Sequence, residues 1–382
     1  MIHRRYALLL AAAAIPALAS ASETVTYSYD SQGRLIHATR PASSGINPNL
    51  DYAYAFDRAD NRLSKTVSGS ANAVPGTPTA GADTLWGTYG ADTIDGLDGG
   101  DLIYAQLGGN DTIYGGNGND AVLFCAAFAP GDSVDGGAGS DQLALQGNYP
   151  NLILWASALT SVETLALLPG SDSRFGCQSG DSTIGYSYNV TLIDSNIAAG
   201  IQMTVNAATL SAGETMILNA SAETDGSVRV FGGAGADTIT GSSGADFIRG
   251  LGGADTLTGG PGADIFSTIA GESSGAAYDR LIGFDQSQDK IDLPGTITGF
   301  ASPVTGASLS TASFESDLAA AVGSALTAGL AMTVTASSGT LAGHVFLVAD
   351  GNGVAGFQAG ADYVFDIVSP ATPISGSVNF FI

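Results

Sequence analysis

The chain has 382 residues, an apolar fraction of 45% and a formal charge of −24 at neutral pH, enough length for two or three domains and enough apolar content for a real core. The charge is uneven: residues 1–69 hold seven basic and five acidic side chains, a net +2, which leaves five basic and thirty-one acidic ones, a net −26, in residues 70–382. A body that acidic repels nucleic acid and anionic membrane and attracts divalent cations, while its many phased Ile, Leu and Val residues exclude simple acidic disorder.

The first element is a basic start at Arg4 and Arg5, an apolar run from about Tyr6 to Leu18, and small residues at Ala17-Leu18-Ala19 and Ala19-Ser20-Ala21. This order predicts a secretory signal peptide over 1–21, too short for a comfortable membrane span, with an uncleaved anchor as the alternative. No later segment is long and apolar enough to cross a bilayer, so the mature protein is expected to be secreted, without membrane insertion.

Residues 22–69 contain two related phrases, Tyr27-Ser28-Tyr29-Asp30-Ser31-Gln32-Gly33-Arg34-Leu35 and Tyr54-Ala55-Phe56-Asp57-Arg58-Ala59-Asp60-Asn61-Arg62-Leu63. Alternating aromatics followed by a polar turn predict strand, turn and strand. The phrases resemble the YD repeats of rearrangement-hotspot and teneurin-like proteins, with Phe56 and Asp60 where that pattern has Tyr and Gly. That family builds shells from many copies; two copies predict only a hairpin segment. Residues 70–80 read as a linker.

A first nonapeptide array spans 81–142. Asp83, Asp92, Asp101, Asp111 and Asp120 each have Gly two residues before and Leu85, Ile94, Ile103, Ile113 or Val122 two residues after. The step from Asp101 to Asp111 is ten rather than nine, which predicts a strained or bulged coil. The phase returns at Asp132, where Pro130 replaces the glycine, and at Asp141. Residues 143–231 lose the Gly-Asp signature but keep short β-rich runs, predicting a metal-free continuation of the solenoid or an independent sandwich. The second array, 232–267, has four strict units: Gly235, Asp237, Ile239; Gly244, Asp246, Ile248; Gly253, Asp255, Leu257; Gly262, Asp264, Phe266.

A period of nine with one large apolar residue per unit suits a solenoid, in which a short strand turns the apolar residue inward and a glycine-rich turn reverses direction. Two units make one coil, so turns eighteen residues apart stack. Carboxylates and carbonyls of stacked turns supply the oxygen-only shell that Ca²⁺ prefers. The candidate ligands are Asp83, Asp92, Asp101, Asp111, Asp120, Asp132, Asp141, Asp237, Asp246, Asp255 and Asp264, paired as Asp83 with Asp101, Asp92 with Asp111, Asp101 with Asp120, Asp237 with Asp255, and Asp246 with Asp264. These units resemble the nonapeptide of bacterial repeats-in-toxin (RTX), haemolysin-type calcium-binding proteins. The resemblance implies an all-β parallel β-roll with Ca²⁺ between the turns and an extracellular or cell-surface location. The phrases around Glu163 and Glu214 are similar to the spacer between arrays in that family.

Asp279 to Leu293 resembles the D-x-I-x-x-F cap that closes such rolls, within a C-terminal region, 268–382, containing one helix, Phe314 to Leu326. His344 to Ala349 and Val354 to Gln358 predict a hairpin across Asp350-Gly351-Asn352-Gly353. Val378 to Ile382 resembles the apolar end of a C-terminal secretion signal, in tension with the cleavable N-terminus. Cys125 and Cys177 predict one disulfide in an oxidising compartment or two buried thiols.

Only His3, His37 and His344 are present, and no HExxH occurs. Gly271-Glu272-Ser273-Ser274-Gly275 matches G-x-S-x-G without the strand-to-helix context that pattern requires. No catalytic site is expected. The partners expected are calcium ions and a cell-surface or extracellular polymer. Two rival classes remain: an adhesin using the N-terminal segment, and a hydrolase or lyase with its site in 143–231 or the C-terminal region.

Overall fold

The computed structural model describes residues 78–175, 177, 185–374 and 376–382, and before them only the backbone of four strands. These four, Thr26–Tyr29, Leu35–Arg40, Leu50–Phe56 and Arg62–Gly69, pair consecutively as an antiparallel sheet. The two expected pairs of strands are thus present, and together they form one sheet, while the residues between the strands of each pair lie outside the described ones. The expected signal peptide at 1–21 lies outside the described residues.

From Thr84 to Asp292 the chain is a parallel roll. One face is a ten-stranded sheet running from Thr84–Trp86 to Lys290–Asp292, with every pairing parallel. Its register stacks one large apolar residue per coil in a single row: Leu85, Ile103, Val122, Leu143, Leu165, Val205, Val230, Ile248, Phe266 and Ile291. Each is at most 2% exposed, so each contributes roughly 1.5–3 kcal/mol of burial that no isolated coil could obtain.

The facing wall is made of two sheets. Thr93–Asp95, Thr112–Asn117, Ser133–Ala138 and Leu159–Thr160 cover the first array. An eleven-stranded sheet then carries Tyr149–Ile153, Ser187–Ile193, Thr215–Ala222, Thr238–Thr240, Thr256–Thr258 and Asp279–Ile282 in parallel. Residues 143–231 therefore continue the solenoid and do not form an independent sandwich. Their wider coils admit Tyr149 and Tyr188, whose hydroxyls donate to the carbonyls of Cys125 and Leu168.

The extra residue between Asp101 and Asp111 does not distort the strands. Register is kept on both sides, Leu102 against Ala121 and Thr93 against Thr112, and the insertion is taken up in the turn containing Gly108 and Gly109, both with positive φ. Cys125 and Cys177 are disulfide-bonded, with Cα atoms 5.3 Å apart, tying the first array to the spacer.

The C-terminal region differs from expectation in two places. The strand Val345–Ala349 pairs antiparallel with Leu330–Ser338 and with Tyr363–Val368, whereas Val354–Gln358 forms no strand. Asp350 holds the turn, accepting N–H bonds from Gly329 and Gly353, and Asp362 accepts from Gly351 and Gln358; these bonds delay the return of the chain until Tyr363. The helix spans Phe314–Val322, after a 3-10 turn at Thr311–Ser313, and stops at Gly323, whose φ of +52° few other residues adopt. Phe314, Leu318 and Val322 pack with Val334, Phe346 and Val364 in a second core.

The roll ends as the cap sequence implies. Leu281, Phe284 and Ile291 are buried, and Tyr363–Val368 adds a parallel strand beyond Asp279–Ile282. The last residues close the other sheet: the N–H of Ile291 donates to Phe380, and Phe380, 1% exposed, packs on Phe284 and Phe300. The apolar terminus Val378–Ile382 thus supplies part of the end cap.

Candidate metal centre

Each array aspartate lies directly before a three- or four-residue strand in most turns, at the point where the chain enters the wall. Here the backbone N–H of the stacked residue in the preceding coil points along the roll axis and needs an acceptor. The aspartate below provides it. The N–H of Asp83 donates to Asp101 Oδ1 at 2.7 Å, that of Asp101 to Asp120, and that of Asp120 to Asp141. Across the roll, Asp92 donates to Asp111 and Asp111 to Asp132. In the second array Asp237 donates to Asp255 at 2.8 Å and Asp246 to Asp264 at 3.0 Å. The five expected pairs are therefore brought together, each as a rung of one of two carboxylate ladders.

Asp132 belongs to the ladder despite Pro130. Its Oδ2 accepts the N–H of Ala129, a bond that replaces the missing glycine turn. The ladders also extend beyond the expected residues. Glu163 accepts from Asp141, Asp279 from Asp255, and Asp289 from Asp264. The sequence separations are 22, 24 and 25 residues, so a strict period of nine cannot reach them. Only the cap phrase, with its phased Asp279 and Asp289, carried a signal.

The second oxygen decides what a rung can bind. In Asp83, Asp92, Asp237 and Asp246 it accepts the N–H four residues earlier, closing the turn. In Asp101, Asp111, Asp120, Asp141, Asp255 and Asp264, Oδ2 is buried with no hydrogen-bond partner. All but that of Asp111 face the glycine five residues before the acid, Gly96, Gly115, Gly136, Gly250 or Gly259. A Cβ placed on Gly96 would stand 2.4 Å from Asp101 Oδ2 and 2.3 Å from the Gly115 carbonyl of the next coil; on Gly115 it would stand 2.5 Å from Asp120 Oδ2 and 2.4 Å from the Gly136 carbonyl. The absent side chain leaves a small space lined by a carboxylate and a carbonyl from successive coils.

Burial makes these carboxylates poor anions by themselves. Desolvation pushes Asp255 and Asp264 up to about 7 and Asp111 and Asp237 up to about 6, and raises Asp279 well above the ordinary carboxylate range. Repulsion between rungs adds to this, Asp237 acting on Asp255 and Asp246 on Asp264. Among the described residues, none of the array aspartates is in an ion pair. The donor set therefore fits a hard divalent cation: oxygen-only, anionic, buried and unsatisfied.

The serine of Gly271-Glu272-Ser273-Ser274-Gly275 is fully buried. Its hydroxyl donates to the Val364 carbonyl at 2.6 Å and accepts the N–H of Asp279 at 2.8 Å, joining the cap to the ladder.

No curated protein matches the chain. Residues 78–108, 107–123 and 231–266 match the family model described as the RTX calcium-binding nonapeptide repeat, in four copies. Those matched residues contain both sets of strict turns, so it is in the arrays that the chain is similar to this calcium-binding repeat.

Proposed function

We propose that the protein is a secreted calcium-binding roll, a structural or extracellular interaction protein without a catalytic centre, whose arrays fold when Ca²⁺ enters between stacked turns. The observation that carries this reading is the set of buried, partnerless Oδ2 atoms, five of them beside a turn glycine and, at Gly96, Gly115 and Gly136, beside a backbone carbonyl of the next coil as well. The residues that would hold the ions are Asp83, Asp92, Asp101, Asp111, Asp120, Asp132, Asp141, Asp237, Asp246, Asp255 and Asp264, with Asp279 and Asp289 at the capped end.

When bound, Ca²⁺ supplies positive charge and a flexible six- to eight-oxygen shell. The chain supplies the rest. Each Oδ1 stays fixed by the N–H of the preceding coil, which leaves Oδ2 of Asp255 and Asp264 beside Gly250 and Gly259. If each of five sites has a Kd of about 10⁻⁴ M, ~1 mM Ca²⁺ stabilises the fold by roughly 1.4 kcal/mol per site, about 7 kcal/mol together. That is comparable to the whole stability of an ordinary domain. At sub-micromolar Ca²⁺ the same sites contribute almost nothing, and the repelling carboxylates oppose compaction, a state suited to export.

The Cys125–Cys177 disulfide supports an oxidising destination. A cleaved signal over 1–21 and a binding role for residues 22–69 toward a cell surface or polymer belong to the same reading. Circular dichroism of the full chain, titrated with Ca²⁺ and then chelated, tests it: β signal should be gained and lost reversibly, with Mg²⁺ a poor substitute because it demands tight octahedral geometry. A spectrum unchanged by chelator would refute it.

A further inference from the structure

Outside the nonapeptide turns, three carboxylates from two coils meet at one edge of the spacer. Asp194 opens the 3-10 turn Asp194–Asn196 that follows Ser187–Ile193, and Glu223 and Asp225 lie in the turn after Thr215–Ala222. These two strands are neighbours, with Ile193 opposite Ala222. Asp194 Oδ1 accepts the N–H of Thr224 at 2.9 Å and also its hydroxyl, which clamps the turn carrying the other two acids.

One carboxylate oxygen from each of Asp194, Glu223 and Asp225 lies within 4.8 Å of the others. That span is about twice a Ca²⁺–oxygen distance of roughly 2.4 Å, so a single ion can touch all three. A second observation comes from Glu223 itself, which is 0% exposed. Its Oε1 accepts the N–H groups of Gly226 at 2.9 Å and Asp225 at 3.2 Å, while its Oε2 is buried with no partner. Among the described residues, none of the three acids forms an ion pair. A buried carboxylate oxygen left without a donor or counter-charge is costly, and two exposed carboxylates at its side raise that cost unless a cation joins them.

We propose that Asp194, Glu223 and Asp225 form an oxygen-only site for a divalent cation of the Ca²⁺ class, in the segment whose sequence predicts no metal. The site joins two turns about thirty residues apart, clamped by the bond from Thr224 to Asp194, and uses no Gly-Gly-x-Gly-x-Asp turn. It would pin the spacer's turn as the array ions pin theirs.

The test is the number of Ca²⁺ ions bound per full-length chain, by equilibrium dialysis with Ca²⁺ alone. The double substitution Asp194→Asn with Asp225→Asn changes two exposed residues and keeps the acceptor for Thr224; it should lower the count by one while the dichroism at saturating Ca²⁺ stays as in the parent. Glu223→Gln, nearly equal in volume, should lower it by one as well. Asp255→Asn serves as the array reference. A count that falls with Asp255→Asn but not with either spacer change overturns this site and leaves the array reading intact. A count that falls only with the spacer changes upholds the site and refutes the arrays.

Discussion

The second array and the spacer before it are built from the same coil but close their turns differently. In the second array the position before each strand is an acid, Asp237, Asp246, Asp255 or Asp264. Beyond Glu163 the stacked positions in the spacer include Met203, Met216 and Val228, all buried, and the N–H groups of Met216 and Val228 donate to the first rungs, Asp237 and Asp246. One acid that the spacer buries, Glu214, is satisfied by the protein. Burial pushes Glu214 up, yet N–H bonds from Gly170, Ser211 and Tyr186 bring it below its ordinary value. Asp255 and Asp264 have no such second set of donors. One region is thus held by apolar packing and internal hydrogen bonds, and the other is complete only with a counter-charge. The same backbone can be made constitutive or cation-dependent by one residue per coil.

The largest effect should follow from moving the array's chemistry into the spacer. Met216→Asp places an uncompensated charge at a fully buried rung and should cost about 3–5 kcal/mol in chelator, measured by urea unfolding. Part of that loss should return with Ca²⁺, because the new carboxylate would stack above Asp237. Equal loss in both conditions would show that spacer coils cannot accept the array's design.

Next in size is the cross-link. Cys125 and Cys177 are separated by 52 residues, and loop-closure entropy for that length is worth ~4 kcal/mol. Replacing both by Ser should lower stability with and without Ca²⁺ alike, since the bond belongs to neither carboxylate ladder. A loss confined to the Ca²⁺-bound protein would contradict the division drawn here.

Asp255→Asn should reverse sign between conditions. It keeps an oxygen for the Asp237 N–H but removes a buried charge, so at pH 8 in chelator the variant should be more stable than the parent. In ~1 mM Ca²⁺ it should lose roughly 1.4 kcal/mol of ion-derived stability.

The last effect is that of pH. In the folded, metal-free chain Asp255 and Asp264 titrate at about 7 and Asp111 and Asp237 at about 6, against ~3.9 when unfolded. A raised carboxyl binds protons more tightly in the folded state. Its stabilisation is full below the unfolded value and is lost as pH rises through the folded one. Chelated protein should therefore gain β signal on going from pH 8 to 5, whereas the Ca²⁺ midpoint should move to higher concentration as protons compete.

Much of this was legible because the roll is quasi-one-dimensional. The strict period of Asp237, Asp246, Asp255 and Asp264 fixes both strand register and stacking partner, so all five pairings could be written down without coordinates. Legibility failed where the period breaks. Glu163, Asp279 and Asp289 occupy the same rung but follow loops of variable length, and a glutamate is outside the pattern. The glycine that faces the carboxylate is the first of each turn, as at Gly241, not the one two residues before the acid, although both recur every nine residues. The Cys125–Cys177 bond and the site at Asp194, Glu223 and Asp225 depend on contacts between coils that no local spacing encodes. In the C-terminal region, the acceptors at Asp350 and Asp362 redirected a hairpin that local alternation placed too early.

The central claim, that the arrays and not the spacer rungs depend on the cation, is tested most directly by amide hydrogen exchange of the full chain in 1 mM Ca²⁺ and in chelator. On chelation, strands Thr238–Thr240, Phe247–Arg249 and Thr256–Thr258 should lose most of their protection. Strands Thr164–Leu167, Ser187–Ile193 and Gln202–Asn206 should keep most of theirs. Equal protection of both regions in chelator, or equal loss, would contradict it.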